Sequence, residues 1–558
     1  MTKTISLKKI ILKNKKNILI FTIPLIILII VSSFTGRYLE EVPKNGGSIT
    51  EIIIGKNPRN VNPVLATSKT DKDILPLIYS TVLKINQKQE IVPNIADFKI
   101  SEDSKTYTLT IKENVKFSNG DLLTSDDIIF TIEKIQDPLI QSPYFSEWID
   151  VETEKIDQKN LKIILPKEYD QFKNTLANLY ILPKKLWQDI TPAEFPFFEL
   201  NNHPIGSGPF KIDKTTRDDQ FGKIKKYVLK RNPYYFDKKA YLDEVNLVVF
   251  NNLEAYKKSL LYSNEKVIKN IFAVPPEEIS QFVNQENDSK YGVQNLNSTR
   301  IFGLFLSPKN QNLSSLKARE AISKIINREK IVKENLSGYA KTTNSPLYFD
   351  TFVEQKTDKK DIEKLFKEAG YQKNDQTNIL TNSKTKKEFR INLAVLNSEE
   401  FKNIASEISK SLTEYGIGVN ITHYTNNDLI QNVIRPRSFD MALYGYQTSV
   451  IPDYYFLFHS SQIDDPQINI SKTNNKKIDQ AVADLRKVIP KQEREKKYQV
   501  IKEEIQKENL FIPIYSPDYI YIVDKRVKGF ERKTIDSREL RFSDINNWYV
   551  NIGNIISF

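Results

Sequence analysis

Cysteine is absent from all 558 residues, and histidine occurs only three times, as His203, His423 and His459. The first absence excludes disulfide staples and any anchor through a lipidated cysteine. The second leaves no pair of histidines at the close spacing of a dedicated zinc site. Also missing are a Gly-x-Ser-x-Gly elbow, a phosphate loop ending in Gly-Lys-Ser/Thr, and a His-Glu-x-x-His helix. Adjacent acids such as Asp126 and Asp127, or Asp464 and Asp465, do not fill the gap: neighbours on a helix diverge by about 100° and face different ways. The residues therefore give no expectation of an enzyme, a metal or a cofactor.

What the chain does have is length, apolar content and a lopsided charge. Single cores stop growing near roughly 250–300 residues, so 558 residues imply more than one lobe. Hydrophobic residues make up 39% of the chain, with 30 Phe and 27 Tyr spread along it, which argues against disorder. Half of the net charge of +12 sits in residues 1–17, on Lys3, Lys8, Lys9, Lys13, Lys15 and Lys16. The rest is mixed Lys and Glu, a solvated surface and not a phosphate-binding stripe, so nucleic acid is not an expected partner.

After this basic tail, Ile18 to Phe34 carries no charge over seventeen residues, roughly 25 Å as a helix. Lysines before it, and Arg37, Glu40 and Glu41 after it, place the N-terminus in the cytoplasm and the body outside. The run reads as a single transmembrane anchor, with a cleavable signal peptide as the alternative, since Val31 and Ser33 are small residues before a possible cut. Residues 35–47 end in Gly46 and Gly47 and read as a linker holding the body near the bilayer.

Beyond the linker, strand and helix signals alternate. Tyr107, Leu109 and Ile111 alternate as a strand, Asn119 and Gly120 turn, and Thr124 caps a helix carrying Ile128, Ile129 and Ile132. "FRINLAVL", a helix through Ile404, Ile408 and Leu412, and "GVNITHY" form a β-α-β unit, the mark of a sheet covered by helices. "FIPIYSPDYIYIV" reads as a late strand pair that needs sheet partners built much earlier. "NNHPIGSGPFKI" places Ser207 between two glycines, four residues after His203. With no elbow and no acid at a useful distance it reads as a connector, in which Gly206 and Gly208 supply backbone angles that a Cβ forbids. From Asp440 to Ser461, Tyr444, Tyr446, Tyr454, Tyr455, Phe456 and Phe458 cluster, to pack a core or to line a cleft.

Nine pieces in order carry a resemblance that runs from about Gly47 to Trp548. They are "NPVLATSKTDKDILPLIYSTVL", the stretch "IVPNIADFKI" through "IIFTIEKI", "HPIGSGPFKI", "LKRNPYYFDKKAYLDEVNLVVF", "LSSLKAREAISKIINREKIVKENLSGYA", "IEKLFKEAGY", "FDMALYGYQ", "LFIPIY" and "NNWYV". Together they resemble the extracellular solute-binding proteins, family 5, of ABC transporters, which include oligopeptide and dipeptide binders. The resemblance implies an α/β, two-lobed periplasmic-binding-protein-like clamp of type II with an extra inserted subdomain. Lobe one would span 48–262, with the insert at about 76–200, and return at 508–558; lobe two would span 263–507.

The same resemblance implies a binding site between the lobes. In the family, a Gly-Trp and an acid three residues beyond it follow the pair that stands here as Phe439 and Asp440, and the acid pairs with a peptide's amino terminus. Here Gly445 is followed by Tyr446, the acid's place falls on Ser449, and Asp453 is the nearest carboxylate. Thr67, Ser68 and Lys69 fall on the lobe-one loop that lines the site. Arg435 lies where a ligand's carboxylate can be met, and Tyr515 falls on the crossing strand. The implied function is a monomeric, membrane-anchored receptor that captures peptides and delivers them to the permease subunits of an importer driven by a separate ATPase. A receptor for a sugar, a metal complex or haem, and an anchored sensor or surface interaction protein, stand as alternatives.

Overall fold

The computed structural model describes residues 39–260, 269–283, 290–350 and 358–556. The basic tail and the expected anchor at 18–34 lie outside the described residues, and among those described no helix is long and apolar enough to cross a membrane.

A thirteen-stranded sheet runs through the body. Its elements begin with β1 (Ser48–Ile54), helix α1 (Lys69–Ile78) and the short helix α2 (Phe172–Ala177). Strands β2 (Phe210–Arg217), β3 (Ile224–Arg231), β4 (Glu244–Phe250), β5 (Lys269–Phe272), β6 (Tyr291–Ser298) and β7 (Arg300–Leu306) follow. Then come β8 (Arg390–Leu396), α3 (Glu399–Glu414), β9 (Gly418–Tyr424), β10 (Met441–Gln447) and β11 (Phe511–Asp524). Across the sheet the order is β9, β8, β10, β7, β11, β5, β1, β4, β3, β2.

The two halves of that order are the two lobes, and β11 belongs to both. Its first residues pair antiparallel with β7, Phe511 opposite Phe305 and Tyr515 opposite Phe302. Its last residues pair with β6, from Asp518 opposite Asn297 to Asp524 opposite Tyr291, and with β5 at Ile522 and Ile271. The expected strand pair in "FIPIYSPDYIYIV" is thus one continuous strand of 14 residues. Pro517 is tolerated because it stands where β11 changes partners, and its missing N–H is not needed there. β5 and β6, which lie beyond residue 263, pair within the lobe-one half, and Phe511–Tyr515, which lie beyond 508, pair within the lobe-two half.

Lobe two contains the expected β-α-β unit: β8 and β9 are parallel neighbours, and α3 buries Ile404, Ile408 and Leu412 against them. Those residues recur every four positions, so one stripe of the helix meets the sheet. The insert is a four-stranded antiparallel sheet ordered Ala96–Ile100, Thr106–Ile111, Asn160–Ile164, Glu152–Lys155. Its buried Tyr107, Leu109 and Ile111 join Trp148 and Phe172 in one core with lobe one. The helix Ser125–Gln136 packs beside it, and at its start the Asp127 carboxylate accepts from the Thr124 N–H at 2.8 Å. Residues Leu39–Lys44, within the expected linker, form a ribbon with Asn551–Ile556.

The Gly-Ser-Gly turn is a connector for a different reason from the one expected. Neither Gly206 nor Gly208 has a positive φ. What forbids a side chain is close approach: a Cβ on Gly206 would stand 2.2 Å from the Ile78 carbonyl oxygen, and one on Gly208 2.5 Å from the Ile78 carbonyl carbon. Ser207 is wholly buried and its Oγ accepts from the Ser80 N–H at 3.3 Å, while His203 is exposed. The turn clamps the end of α1.

Candidate functional site between the lobes

Two strand segments cross between the lobes, Ser298–Arg300 from β6 to β7 and Ser516–Asp518 within β11. They are tied together: Ser298 Oγ donates to the Pro517 carbonyl, and Ser516 Oγ donates to the Ser298 carbonyl at 3.2 Å. Thr299, the single residue between β6 and β7, donates through Oγ1 to the Thr448 carbonyl. Rigid strands thus hold Arg300 at the crossing, with its guanidinium 4.0 Å above the Tyr519 ring.

The lobe-one wall is built on α1. Ser68 caps the helix, accepting from the Asp71 N–H at 3.0 Å and donating to the Asp71 carboxylate at 2.6 Å. That fixes Thr67 and Lys69 at the helix entry, where both are exposed. Lys69 keeps accessible surface, but surrounding protein, then the charges of Arg538 and Arg300, hold its ammonium below lysine's usual range. Among the described residues neither Lys69 nor Arg300 is in an ion pair. The sequence singled out Lys69 but not Arg300, whose only signal is a polar break, Ser298-Thr299-Arg300, between two apolar strands.

Below α1 lies a buried charge network. Asp73 accepts from Arg541 Nη1 at 2.7 Å and Arg538 Nη2 at 3.0 Å. Arg541 sits over the Phe272 and Phe542 rings at 4.5 and 4.0 Å. Glu51 Oε1 accepts from Asn270 and Tyr521, each at 2.6 Å, and burial pushes its carboxyl up. The network fixes the 3-10 segment Arg538–Phe542 against α1. Glu539 belongs to that segment and makes no ion pair among the described residues. Burial, then the nearby charge of Asp73, raises its carboxyl above the ordinary range. After burial, its charge adds to the raised phenols of Tyr144, Tyr180 and Tyr519. No motif in the sequence points to Glu539.

The lobe-two candidates divide. Tyr446 packs its ring on Phe458 and Phe511 and donates to the Pro346 carbonyl at 2.5 Å. Tyr444, half-buried, packs against the same core. Gly445 faces the other way, where a Cβ would stand 2.6 Å from the Phe302 ring. That ring stacks on Tyr515, centroids 5.4 Å apart, and Tyr515 is fully buried, its hydroxyl 3.4 Å from Glu400. The aromatic cluster is therefore largely packing. Ser449 and Asp453 lie on the loop after β10 and face the insert: Ser449 Oγ accepts from Asn174 at 3.2 Å, and Asp453 accepts from Tyr169 at 2.9 Å and Arg486 at 3.1 Å. Arg435 stands apart, paired with Asp465 through bonds of 2.7 and 3.0 Å in an exposed bridge. Lys69 therefore feels the charge of Arg300, and Glu539 lies on the segment packed against α1, whereas Arg435 is taken up by Asp465.

Comparison with known proteins agrees with this architecture. Residues 60–465 match the model of the bacterial extracellular solute-binding proteins, family 5 Middle. The oligopeptide-binding protein AppA of Bacillus subtilis (strain 168) is 26% identical over 511 residues, covering 88% of this chain and 90% of that protein. Its structure in complex with a nonapeptide superposes with a TM-score of 0.67 at 24% identity, over 91% of this chain and 100% of the other. NikZ from Campylobacter jejuni, solved with Ni(L-His), gives 0.69 at 22% identity, again over 91% and 100%. Two lobes joined by crossing strands, and a family match over most of the chain, lead to one conclusion: this chain belongs to the bacterial extracellular solute-binding proteins of family 5.

Proposed function

We propose that the chain is the peptide receptor of an ABC importer, which captures its ligand between the lobes outside the cytoplasm and passes it to permease subunits powered by a separate ATPase. The observation that carries the reading is two cations without an ion pair among the described residues, Lys69 at the entry of α1 and Arg300 at the crossing, with the Glu539 carboxyl on the segment packed against α1. A peptide brings an ammonium, a carboxylate and a backbone of donors and acceptors, and charges of each sign left without ion pairs reward that combination. In this reading Glu539 takes the amino end, Lys69 and Arg300 take a carboxylate, and Thr67, Ser68 and Tyr444 supply flanking polar contacts. The protein acts by binding and closure, with no reaction on the ligand.

The uncharged run Ile18–Phe34, with lysines on its N-terminal side, supports a single-pass anchor that keeps the receptor beside its permease. AppA, the relative bound to a nonapeptide, favours peptides over the metal complex seen in NikZ. Mass spectrometry of the solute released on denaturing the purified protein tests the reading. Peptides are expected; a sugar, a metal chelate or haem as the released species would overturn it.

A further inference from the structure

One loop of lobe two is committed to lobe one. After β10 the chain runs through Ser449 to Asp453, and the Val450 side chain is buried in the core that lobe one shares with the insert. The Val450 N–H donates to the Asp536 carboxylate at 3.0 Å, and Asn174 donates to the Ile451 carbonyl at 2.7 Å. Asp453 is then held by three donors: Tyr169 Oη at 2.9 Å, Arg486 Nε at 3.1 Å and the Tyr455 N–H at 3.0 Å. The Arg486 guanidinium lies over the rings of Tyr169, Tyr455 and Phe456 at 5.0, 4.4 and 4.9 Å. Beside it, the Asp170 N–H donates to the Arg486 carbonyl at 2.9 Å, Gln171 donates to the Leu485 carbonyl at 2.8 Å, and Arg494 meets Asp170 at 2.8 Å.

Apart from the Val450 and Tyr455 bonds, these join a single stretch of the insert, Tyr169 to Asn174, to the loop after β10, to Leu485 and Arg486, and to Arg494 on the helix Lys491–Glu508. They run directly from lobe to lobe, so none of them needs a ligand as a bridge. A carboxylate already compensated by a guanidinium and two further donors has little left to offer a ligand's ammonium. Displacing Arg486 would also take a cation off three aromatic faces.

We propose that Asp453, Arg486 and Tyr169 form a latch that holds the two lobes closed, and that Asp453 serves closure and not ligand recognition. The latch biases an open-to-closed equilibrium, and ligand binding works on top of that bias. Only the ligand arm of the test below rests on the peptide reading.

The absence of native cysteine allows two labels to be placed cleanly, by Lys105→Cys on the insert and Glu495→Cys on lobe two, both exposed sites. Inter-label distances are then measured by pulsed electron paramagnetic resonance on full-length protein stripped of solute in guanidinium and refolded. The wild-type background should be mainly at the short distance. Arg486→Met, which keeps the ring contacts and removes the charge, should raise the open-to-closed ratio about tenfold. Tyr169→Phe and Gln171→Ala should each raise it about twofold to fivefold, and they carry the test if the arginine variant does not fold. A wild-type protein wholly at the long distance, or ratios unchanged in the variants, would overturn the latch. In the ligand arm, Asp453→Asn is titrated with a mixed tetrapeptide library and its N-acetylated counterpart. Both affinities should fall by the same factor; a loss of tenfold or more confined to the free-amino library would return Asp453 to ligand binding. If neither library binds the wild type, the peptide reading fails while the distances still decide the latch.

Discussion

Replacing Asp73 by Asn isolates the charge that holds α1 to the Arg538–Phe542 segment. Asp73 is wholly buried and accepts from Arg541 at 2.7 Å and Arg538 at 3.0 Å. Arg541 is buried as well; its Nε and Nη2 have no hydrogen-bond partner, and its next carboxylate, Glu51, is 4.0 Å away. Asn keeps the shape but leaves a buried guanidinium with only the more distant Glu51 as counter-charge. Breaking a buried pair from one side costs about 3–5 kcal/mol, against about 0–1 kcal/mol for an exposed pair. At about 2–4 °C per kcal/mol for a unit of this size, the transition containing lobe one should fall by roughly 10 °C in scanning calorimetry at pH 7. Arg435→Ala, which breaks the exposed bridge to Asp465, is the control and should move the midpoint by no more than about 4 °C. Adding Arg541→Met to Asp73→Asn should recover much of the loss, because it removes the stranded charge. The same small shift for Asp73→Asn and Arg435→Ala would refute the reasoning.

Other outcomes follow from neighbouring contacts. Gly208→Ala forces a Cβ into the backbone at Ile78 and should lower stability by about 1–3 kcal/mol in denaturant unfolding. Ser207→Ala removes one acceptor for the Ser80 N–H and should cost about 1–3 kcal/mol while leaving ligand affinity within about twofold. Glu539→Gln should raise the thermal midpoint at pH 7 and weaken ligand binding. Because burial raises the Glu539 carboxyl, the folded state holds its proton to higher pH than the unfolded chain, so wild-type stability relative to this variant is greatest at low pH and is lost as pH climbs from about 4.5 through the raised value. A midpoint difference that does not change with pH would count against that account.

Local patterning made much of the body legible in the sequence. The stripe of Ile404, Ile408 and Leu412, the alternation of Tyr107, Leu109 and Ile111, and the β-α-β unit all reflect periods that one face of an element must satisfy wherever it packs. The crossing strand was harder. Pro513 and Pro517 look like breaks in a strand pair, and only the change of partner from β7 to β6 explains how one strand passes through both. The site was legible least of all. Tyr446 and Tyr515 carry the composition of a cleft but are used for packing, since an aromatic ring serves either purpose equally well. Arg300 and Glu539 are single charges 239 positions apart in the chain, without any motif; only the strand crossing sets the first over Tyr519, and only the Asp73 network holds the segment of the second against α1. The connector reading of the Gly-Ser-Gly turn stands on the steric contact with Ile78, a close approach that no dipeptide preference reveals.

Capture of a peptide between the lobes is the central claim, and calorimetric titration of the solute-stripped protein with peptide libraries of two to about ten residues tests it most directly. Saturable, near one-to-one binding with a negative heat-capacity change is expected, weakened by Glu539→Gln and by Lys69→Gln. No heat and no thermal stabilisation with any library would contradict the account.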